Sequence, residues 1–223
     1  MAVPRASAEP VAIAILAKAP VAGSAKTRLA PALGLDGAAQ FQARLIARTV
    51  ETVCAAGTGP VTLWAAPDPD HELFAELASR FALRLARQAD GDLGARMLAA
   101  TAAADGPVLV VGTDCPVLAP HHLEAAAGCL RAGHDGRDGR DVVVIPAEDG
   151  GYVLIGSRRP QPALFAGITW STPTVLAETL RRIADGALTV RALPPLWDVD
   201  VPADLERMRA AGLGALVAGL ALA

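Results

Sequence analysis

Residues 108–111 read Val-Leu-Val-Val, an apolar run too short for a helix and lacking the alternation of a half-buried strand. Such a run fits a strand covered on both faces, as in parallel sheets whose crossover helices lie above and below. The rest of the chain agrees, because short apolar runs alternate with longer amphipathic stretches, the pattern of repeated strand–helix units. Strands are predicted over 11–17, 60–65, 82–86, 107–112, 141–146, 152–155 and 188–193. Helices are predicted over 38–55, 71–80, 93–104, 120–130 and 173–183, the last opened by Thr172 as capping hydroxyl and Pro173 at the first helical position. A terminal helix begins at Pro202. The polar, glycine-rich segment 133–141 reads as a surface loop. No internal repeat or linker divides the chain, so one domain over 1–223 is expected, with 1–10 flexible and 206–223 forming a C-terminal helix.

Composition narrows how such a sheet could hold a ligand. Of the 223 residues, 52% are hydrophobic but only 4% aromatic, so a ligand must be gripped by backbone, carboxylates and a few cations rather than stacking platforms. Lysine plus arginine total 20 against 23 for aspartate plus glutamate, a formal charge of −3. That balance excludes a general electrostatic grip on nucleic acid or an anionic membrane. No segment approaches the roughly 20 apolar residues of a membrane span. The run 11–17 follows Arg5 and precedes Ala17-Lys18-Ala19, a triplet like a signal cleavage site. Glu9, Pro10 and Lys18 argue instead for a buried first strand. The apolar tail 213–223 reads as a packed or interface helix, the latter serving a homodimer. Cys54, Cys115 and Cys129 have neither disulfide nor thiolate-zinc spacing, which suits a reducing cytoplasm.

In open parallel sheets ligands sit beyond the carboxyl ends of the strands, so the residues after each apolar run carry the chemistry. The first run leads into Ala17-Lys18-Ala19-Pro20-Val21-Ala22-Gly23-Ser24-Ala25-Lys26-Thr27-Arg28-Leu29, a loop of small residues and three cations suited to phosphate oxygens. It is not a Walker loop, because Ala25 stands where glycine must precede the lysine; a P-loop kinase is thereby disfavoured. The central run leads into Gly112-Thr113-Asp114-Cys115-Pro116. Asp114 there is placed to hold Mg2+ or Mn2+ bridging phosphates, or else to cap a turn. Cys115 reads as a buried packing residue rather than a nucleophile. In Trp197-Asp198-Val199-Asp200-Val201-Pro202, alternation puts Asp198 and Asp200 on one face, available to complete a metal site opened by Asp114. Asp200 could instead cap the following helix, and Asp204 suits the helix dipole. Glu148-Asp149-Gly150-Gly151-Tyr152 fits either a ligand-binding loop or a plain hairpin turn. The four histidines show no zinc spacing.

Together these loops resemble the bacterial glycosyltransferase-like family of nucleotide-diphospho-sugar transferases, of DUF2064 type, similar to phospholactate and molybdenum-cofactor guanylyltransferases. The resemblance is carried by Ala17-Lys18-Ala19-Pro20 with Gly23 and Lys26-Thr27-Arg28-Leu29, by Gly112-Thr113-Asp114-Cys115-Pro116, and by Glu148-Asp149-Gly150-Gly151-Tyr152 with Leu154-Ile155-Gly156. Leu164-Phe165, Trp170-Ser171-Thr172-Pro173 and Asp198-Val199-Asp200 before Pro202 complete it, over Ile13 to Leu205. It implies a GT-A-like fold: three α/β/α layers around a mixed, mainly parallel sheet. It also implies that Ala17, Lys18, Gly23, Lys26 and Arg28 bind the nucleotide, its phosphates through Lys26 and Arg28, that Gly91, Leu93 and Gly94 lie against the base, and that Asp114 binds metal with Asp200 or Asp198. Gly150, Gly151, Tyr152 and Trp170 fall on the acceptor side, and Asp149 and Lys26 are the catalytic candidates. The sequence departs from the family in having Val201 before the helix proline and a single acid at Asp114 in place of a DxD pair.

The expected activity is metal-dependent glycosyl transfer from a nucleoside diphosphate sugar to a small-molecule acceptor. Lys26, Arg28 and the metal would stabilise the leaving diphosphate, and Asp149 would position or deprotonate the acceptor hydroxyl. The alternative is nucleotidyl transfer from a nucleoside triphosphate to a phosphorylated small molecule with release of pyrophosphate. A non-catalytic nucleotide-binding module is the reading from another class.

Overall fold

The computed structural model describes residues 9–131 and 139–220. Its strands are β1 (Ala12–Lys18), β2 (Val61–Ala66), β3 (Arg84–Arg87), β4 (Val108–Val111), β5 (Val142–Pro146), β6 (Tyr152–Ser157) and β7 (Val190–Ala192). They form one seven-stranded sheet in the order β3-β2-β1-β4-β6-β5-β7. β6 runs antiparallel to both its neighbours and every other pairing is parallel. The Val-Leu-Val-Val run is β4, buried along its whole length between β1 and β6, as the covered-strand argument requires.

Among the described residues seven α-helices complete the layers: α1 (Ala30–Ala56), α2 (Glu72–Phe81), α3 (Leu93–Ala102), α4 (Pro120–Leu130), α5 (Pro162–Phe165), α6 (Val175–Asp185) and α7 (Pro202–Ala210). Strand alternation sorts them. Ile13, Ile15, Leu109 and Val111 face Ile46 and Val50 of α1, Leu77 of α2 and Leu123 of α4. Ala14, Val108 and Val110 face Met97 of α3, Phe165 of α5 and Ile183 of α6. A third cluster joins Leu33, Phe41 and Leu45 of α1 to Val199 and to Leu205 and Met208 of α7. Each such fully buried side chain contributes roughly 1.5–3 kcal/mol of hydrophobic stabilisation. This last cluster anchors the end of the chain beside the strand tips.

Several boundaries differ from those expected. α1 begins at Ala30 rather than residue 38, and its register breaks at Gly34. Thr172 does not open α6: its hydroxyl donates to Thr169 O, and the helix starts after Thr174. The C-terminal helix ends at Ala210, and beyond it lies a 3-10 turn, Gly214–Leu216, with Val217 and Leu220 packed into the third cluster. Glycines at 212, 214 and 219 break what apolar content alone suggested was a helix. The short helix α5 was not anticipated. Most of the proposed 133–141 loop, the start of the 1–10 segment and the last three residues lie outside the described residues. Among the described residues no helix is long and apolar enough to cross a membrane.

Candidate functional site

Strand order reverses at β1 and β4, which pair directly through Ile15 and Val111. At such a switch point the loops leaving adjacent strands diverge and open a crevice at their carboxyl ends. A cleft of about 650 Å3 lies there, within the usual size of small-molecule sites. It is lined by the cations Lys18, Lys26 and Arg28, the acids Asp114, Asp149, Asp198 and Asp200, and by Tyr152 and Trp170.

Backbone hydrogen bonding explains why residues so far apart in sequence meet. After β7 the chain runs alongside β5, with Leu196 N donating to Pro146 O at 2.9 Å and Glu148 N to Leu196 O at 3.1 Å. It then reaches the β4 loop, where Val199 N donates to Asp114 O at 2.9 Å. Val199 is buried in the third cluster, so alternation turns Asp198 and Asp200 toward the cleft. The capping question has a clear answer: Asp204 Oδ2 accepts from the backbone of both Asp200 and Val201 at 2.8 Å. The carboxylate of Asp200 is thereby left free for the cleft.

That carboxylate meets Lys26. Lys26 Nζ lies 2.9 Å from Asp114 Oδ1 and 2.9 Å from Asp200 Oδ1, and it donates to Val199 O at 2.6 Å. Burial opposes the ammonium charge, but the pull of Asp114 and Asp200 and the hydrogen bonds to both outweigh it and hold the Lys26 pKa above the usual lysine value. Lys26 also sits at φ 47°, ψ 41°, a left-handed conformation costing a non-glycine residue roughly 1–2 kcal/mol. Lys18 folds back onto the same loop, donating to Ser24 O at 2.8 Å.

Asp198 has a different environment. Burial, followed by the charges of Asp149 and Asp200 and a weaker one from Asp114, pushes its carboxyl up to about 6. Asp149 is held in a tight turn, its Oδ1 accepting from Gly151 N at 2.8 Å. Asp114 and Asp200 thus share Lys26, while Asp198 carries the repulsion of the acids around it. All four offer hard oxygen donors suited to Mg2+ or Mn2+. Among the described residues, however, no group of three His, Cys, Asp or Glu side chains is arranged to hold a metal ion.

Some predicted residues have other work. Ala17 is buried in β1, and its carbonyl accepts from Gln88 Nε2 at 2.9 Å. Gly23, Gly91, Gly94 and Gly150 do not line the cleft, although Leu93 and Gly151 do. Gly94 lets Trp170 pack on α3: a Cβ there would lie 2.6 Å from Phe165 O and 2.7 Å from Trp170 Cζ2. Asp92, between Gly91 and Leu93, caps α3 by accepting from Ala95 N at 2.8 Å. Tyr152 is largely sequestered, with its hydroxyl on Met97 Sδ, and burial raises its pKa. Burial likewise pushes the Cys115 thiol up to about 12, so it is not a nucleophile.

Sequence reasoning passed over Gln42, a buried amide on α1 that donates to Thr113 Oγ1 at 3.1 Å and lines the cleft. The available signal was an amide beside the apolar stripe Phe41, Leu45, Ile46, Val50. Arg48, two turns further on, donates from Nε to Pro116 O at 2.6 Å and holds the other end of the same loop.

The chain resembles several solved structures. A protein of Desulfovibrio desulfuricans G20, provisionally designated a nucleotide-diphospho-sugar transferase, is 26% identical over 93% of this chain and 96% of its own, with a TM-score of 0.75. CMP:2-keto-3-deoxy-manno-octonic acid synthetase, solved with CTP, aligns over 93% of this chain and 100% of its own at 18% identity and a TM-score of 0.58. The 4-diphosphocytidyl-2C-methyl-D-erythritol synthase of Anaerococcus prevotii DSM 20548 aligns over 91% and 98% at 11% identity and a TM-score of 0.56. These likenesses establish the expected fold: a mixed, mainly parallel sheet of the nucleotide-diphospho-sugar transferase and nucleotidyltransferase type. No curated protein matches the chain in sequence. A model of uncharacterised proteins conserved in bacteria matches residues 49–172, more than half of the chain. The chain therefore belongs to that bacterial family, DUF2064.

Proposed function

We propose that the chain is a transferase acting on an activated nucleotide, with glycosyl transfer from a nucleoside diphosphate sugar to a small-molecule acceptor as its reaction. One observation carries the reading: three cations and four carboxylates from distant segments converge on one cleft at the β1/β4 switch point. Lys18 and Arg28 suit a diphosphate, while the Lys26 ammonium is engaged by Asp114 and Asp200 and the remaining acids, Asp149 and Asp198, suit an acceptor side. The 26%-identical neighbour, designated a nucleotide-diphospho-sugar transferase, supports the donor class.

In this reading the acceptor oxygen attacks the anomeric carbon, the bond from that carbon to the diphosphate oxygen breaks, and the nucleoside diphosphate departs. The acceptor proton passes to the Asp149–Asp198 pair. A carboxyl near pKa 6 accepts a proton far more readily than an ordinary aspartate, which favours Asp198 as the receiving atom. Lys18 and Arg28 orient the diphosphate and offset its growing charge. Asp114 and Asp200 would be the residues to hold a divalent cation, two carboxylates being a common protein contribution to an Mg2+ site. When bound it supplies further neutralisation of the leaving group. The free thiols of Cys54, Cys115 and Cys129 suit a reducing compartment such as the cytoplasm.

A second reading, nucleotidyl transfer from a triphosphate, draws on the shared fold of the CTP-bound synthetase. The two differ in product. A thermal-shift panel of nucleoside triphosphates and nucleotide sugars with Mg2+ or Mn2+ finds the binding partner, because a ligand of the native state raises the melting temperature. Turnover of the best ligand is then assayed with a small-alcohol and sugar-phosphate acceptor set. Nucleoside diphosphate release supports glycosyl transfer, whereas pyrophosphate release replaces it with nucleotidyl transfer. A panel with no shift overturns both.

A further inference from the structure

We propose that Lys26 is the internal counter-ion of this site: in the free chain its ammonium fills the space that Asp114 and Asp200 share. A divalent cation then enters only after phosphate groups draw that ammonium out. The inference rests on reading the cleft as a phosphate and metal site, and it adds an order of assembly.

The geometry is specific. The Lys26 ammonium donates to Val199 O and Asp200 Oδ1 and forms an ion pair with Asp114 Oδ1, all within 2.9 Å. Only 6% of the Lys26 side chain is exposed, against 47% for Asp114 and 41% for Asp200. The cation therefore lies beneath the two carboxylates, while each keeps a solvent-facing side toward the cleft. A metal bridging them would sit against a buried like charge, and repulsion at that range is severe away from bulk water.

The loop also has a reason to move. Lys26 is the non-glycine residue of the 19–29 segment at positive φ, and from that turn its side chain reaches Val199 and Asp200. A left-handed conformation at a non-glycine residue is a strained one, so releasing the side chain removes one of the contacts that offset that strain. An anion entering the cleft first meets Lys18 and Arg28 on the same loop. Lys26 is the third cation it can recruit, and recruiting it exposes the carboxylate pair. Nucleotide and metal binding then favour each other, with phosphate the first to enter and metal the second.

Mn2+ binding to the full chain, followed by electron paramagnetic resonance with no nucleotide present, tests this directly. Wild type should bind Mn2+ weakly, and Lys26→Met about tenfold or more tightly, because a buried positive charge has gone. Adding Asp114→Asn to Lys26→Met should abolish the gain. If the methionine variant does not fold, Lys26→Gln removes the charge while keeping hydrogen-bond donors. A second readout uses wild type alone: the Lys26 15NH3+ resonance should be protected in the free chain and shift when metal-free pyrophosphate is added. The inference is overturned if a folded neutral variant gains no Mn2+ affinity, if the gain survives Asp114→Asn, or if pyrophosphate leaves the Lys26 resonance unmoved. A chain that turns over a nucleotide sugar yet shows no gain defeats the counter-ion role alone. A chain that shows the gain but turns over no nucleotide defeats the proposed reaction alone.

Discussion

Gln42 in the middle of α1 donates from Nε2 to the Thr113 hydroxyl at 3.1 Å, with only 4% and 5% of the two residues exposed. The bond ties the long helix to the residue before Asp114. Gln42→Leu leaves the Thr113 hydroxyl buried without this donor, which costs about 1–3 kcal/mol. Thr113→Val on top of Gln42→Leu should recover part of that loss, because replacing both partners avoids the orphaned group. Chemical denaturation of the double-mutant cycle measures the coupling, and strictly additive losses would show that the bond contributes nothing.

Asp114→Asn keeps the shape of its side chain but removes one of the two charges on Lys26. Turnover should fall by about a hundredfold or more, the usual loss when one element of charge stabilisation is removed. The fold should survive, since nearly half of the Asp114 side chain faces solvent. Assays beside a circular dichroism melt separate the two effects. Full activity in the variant removes Asp114 from the site.

Asp198 gives the protein a pH signature in metal-free buffer. Its carboxyl is pushed up to about 6 by burial and by Asp149, Asp200 and Asp114, whereas an unfolded aspartate titrates near 3.9. Between those values the native state binds more protons than the unfolded one, so this group's contribution to stability falls as pH rises from about 4 to 6 and stays low above it. Allowing for solvent screening, Asp198→Asn should gain about 1 kcal/mol at pH 7, or about 2–4 °C in Tm, and close to nothing at pH 4. Melting curves at both pH values check the sign, and an equal gain at each would contradict the raised pKa.

Gly150 and Gly112 flank the cleft and should respond oppositely to alanine. At Gly150 φ is 92°, and a Cβ would lie 2.1 Å from Pro173 O, so the turn and the segment before α6 would have to separate. Gly150→Ala should cost about 2 kcal/mol or more. At Gly112 nothing lies within 4 Å of an added Cβ, and Gly112→Ala should change stability by under about 0.5 kcal/mol. Paired urea titrations decide it: similar midpoints for the two variants would refute the close approach of Gly150 to Pro173.

Cys115 is buried and its thiol is pushed up to about 12, while Cys54 and Cys129 are only partly buried. At pH 8 Ellman's reagent should therefore modify Cys54 and Cys129 before Cys115 in the folded protein, because thiolate is the reacting form. Mass mapping of the first-labelled peptide reads the order, and early labelling of Cys115 would mean that the loop after β4 opens.

The sequence alone determined the strand–helix alternation, the central place of residues 108–111 and the loops where chemistry would gather. Each of these follows from local periodicity or from the rule that ligands lie beyond strand ends. Composition also limited the ligand grip to cations, carboxylates and backbone. Tertiary structure decided which members of those loops face the cleft: Gly91, Gly94 and Gly150 belong to turns and packing, while Gln42, beside an apolar stripe, supports the site. It also decided what Asp198, Asp200 and Asp204 each do, because three acids within seven residues look equivalent until Val199 is buried and the backbone of residues 200 and 201 is claimed by Asp204. Most of all it decided the role of Lys26. A lysine in a small-residue loop reads as a phosphate ligand by its neighbours, but its long side chain reaches carboxylates 88 and 174 positions away, and only the folded chain brings that distance to 2.9 Å.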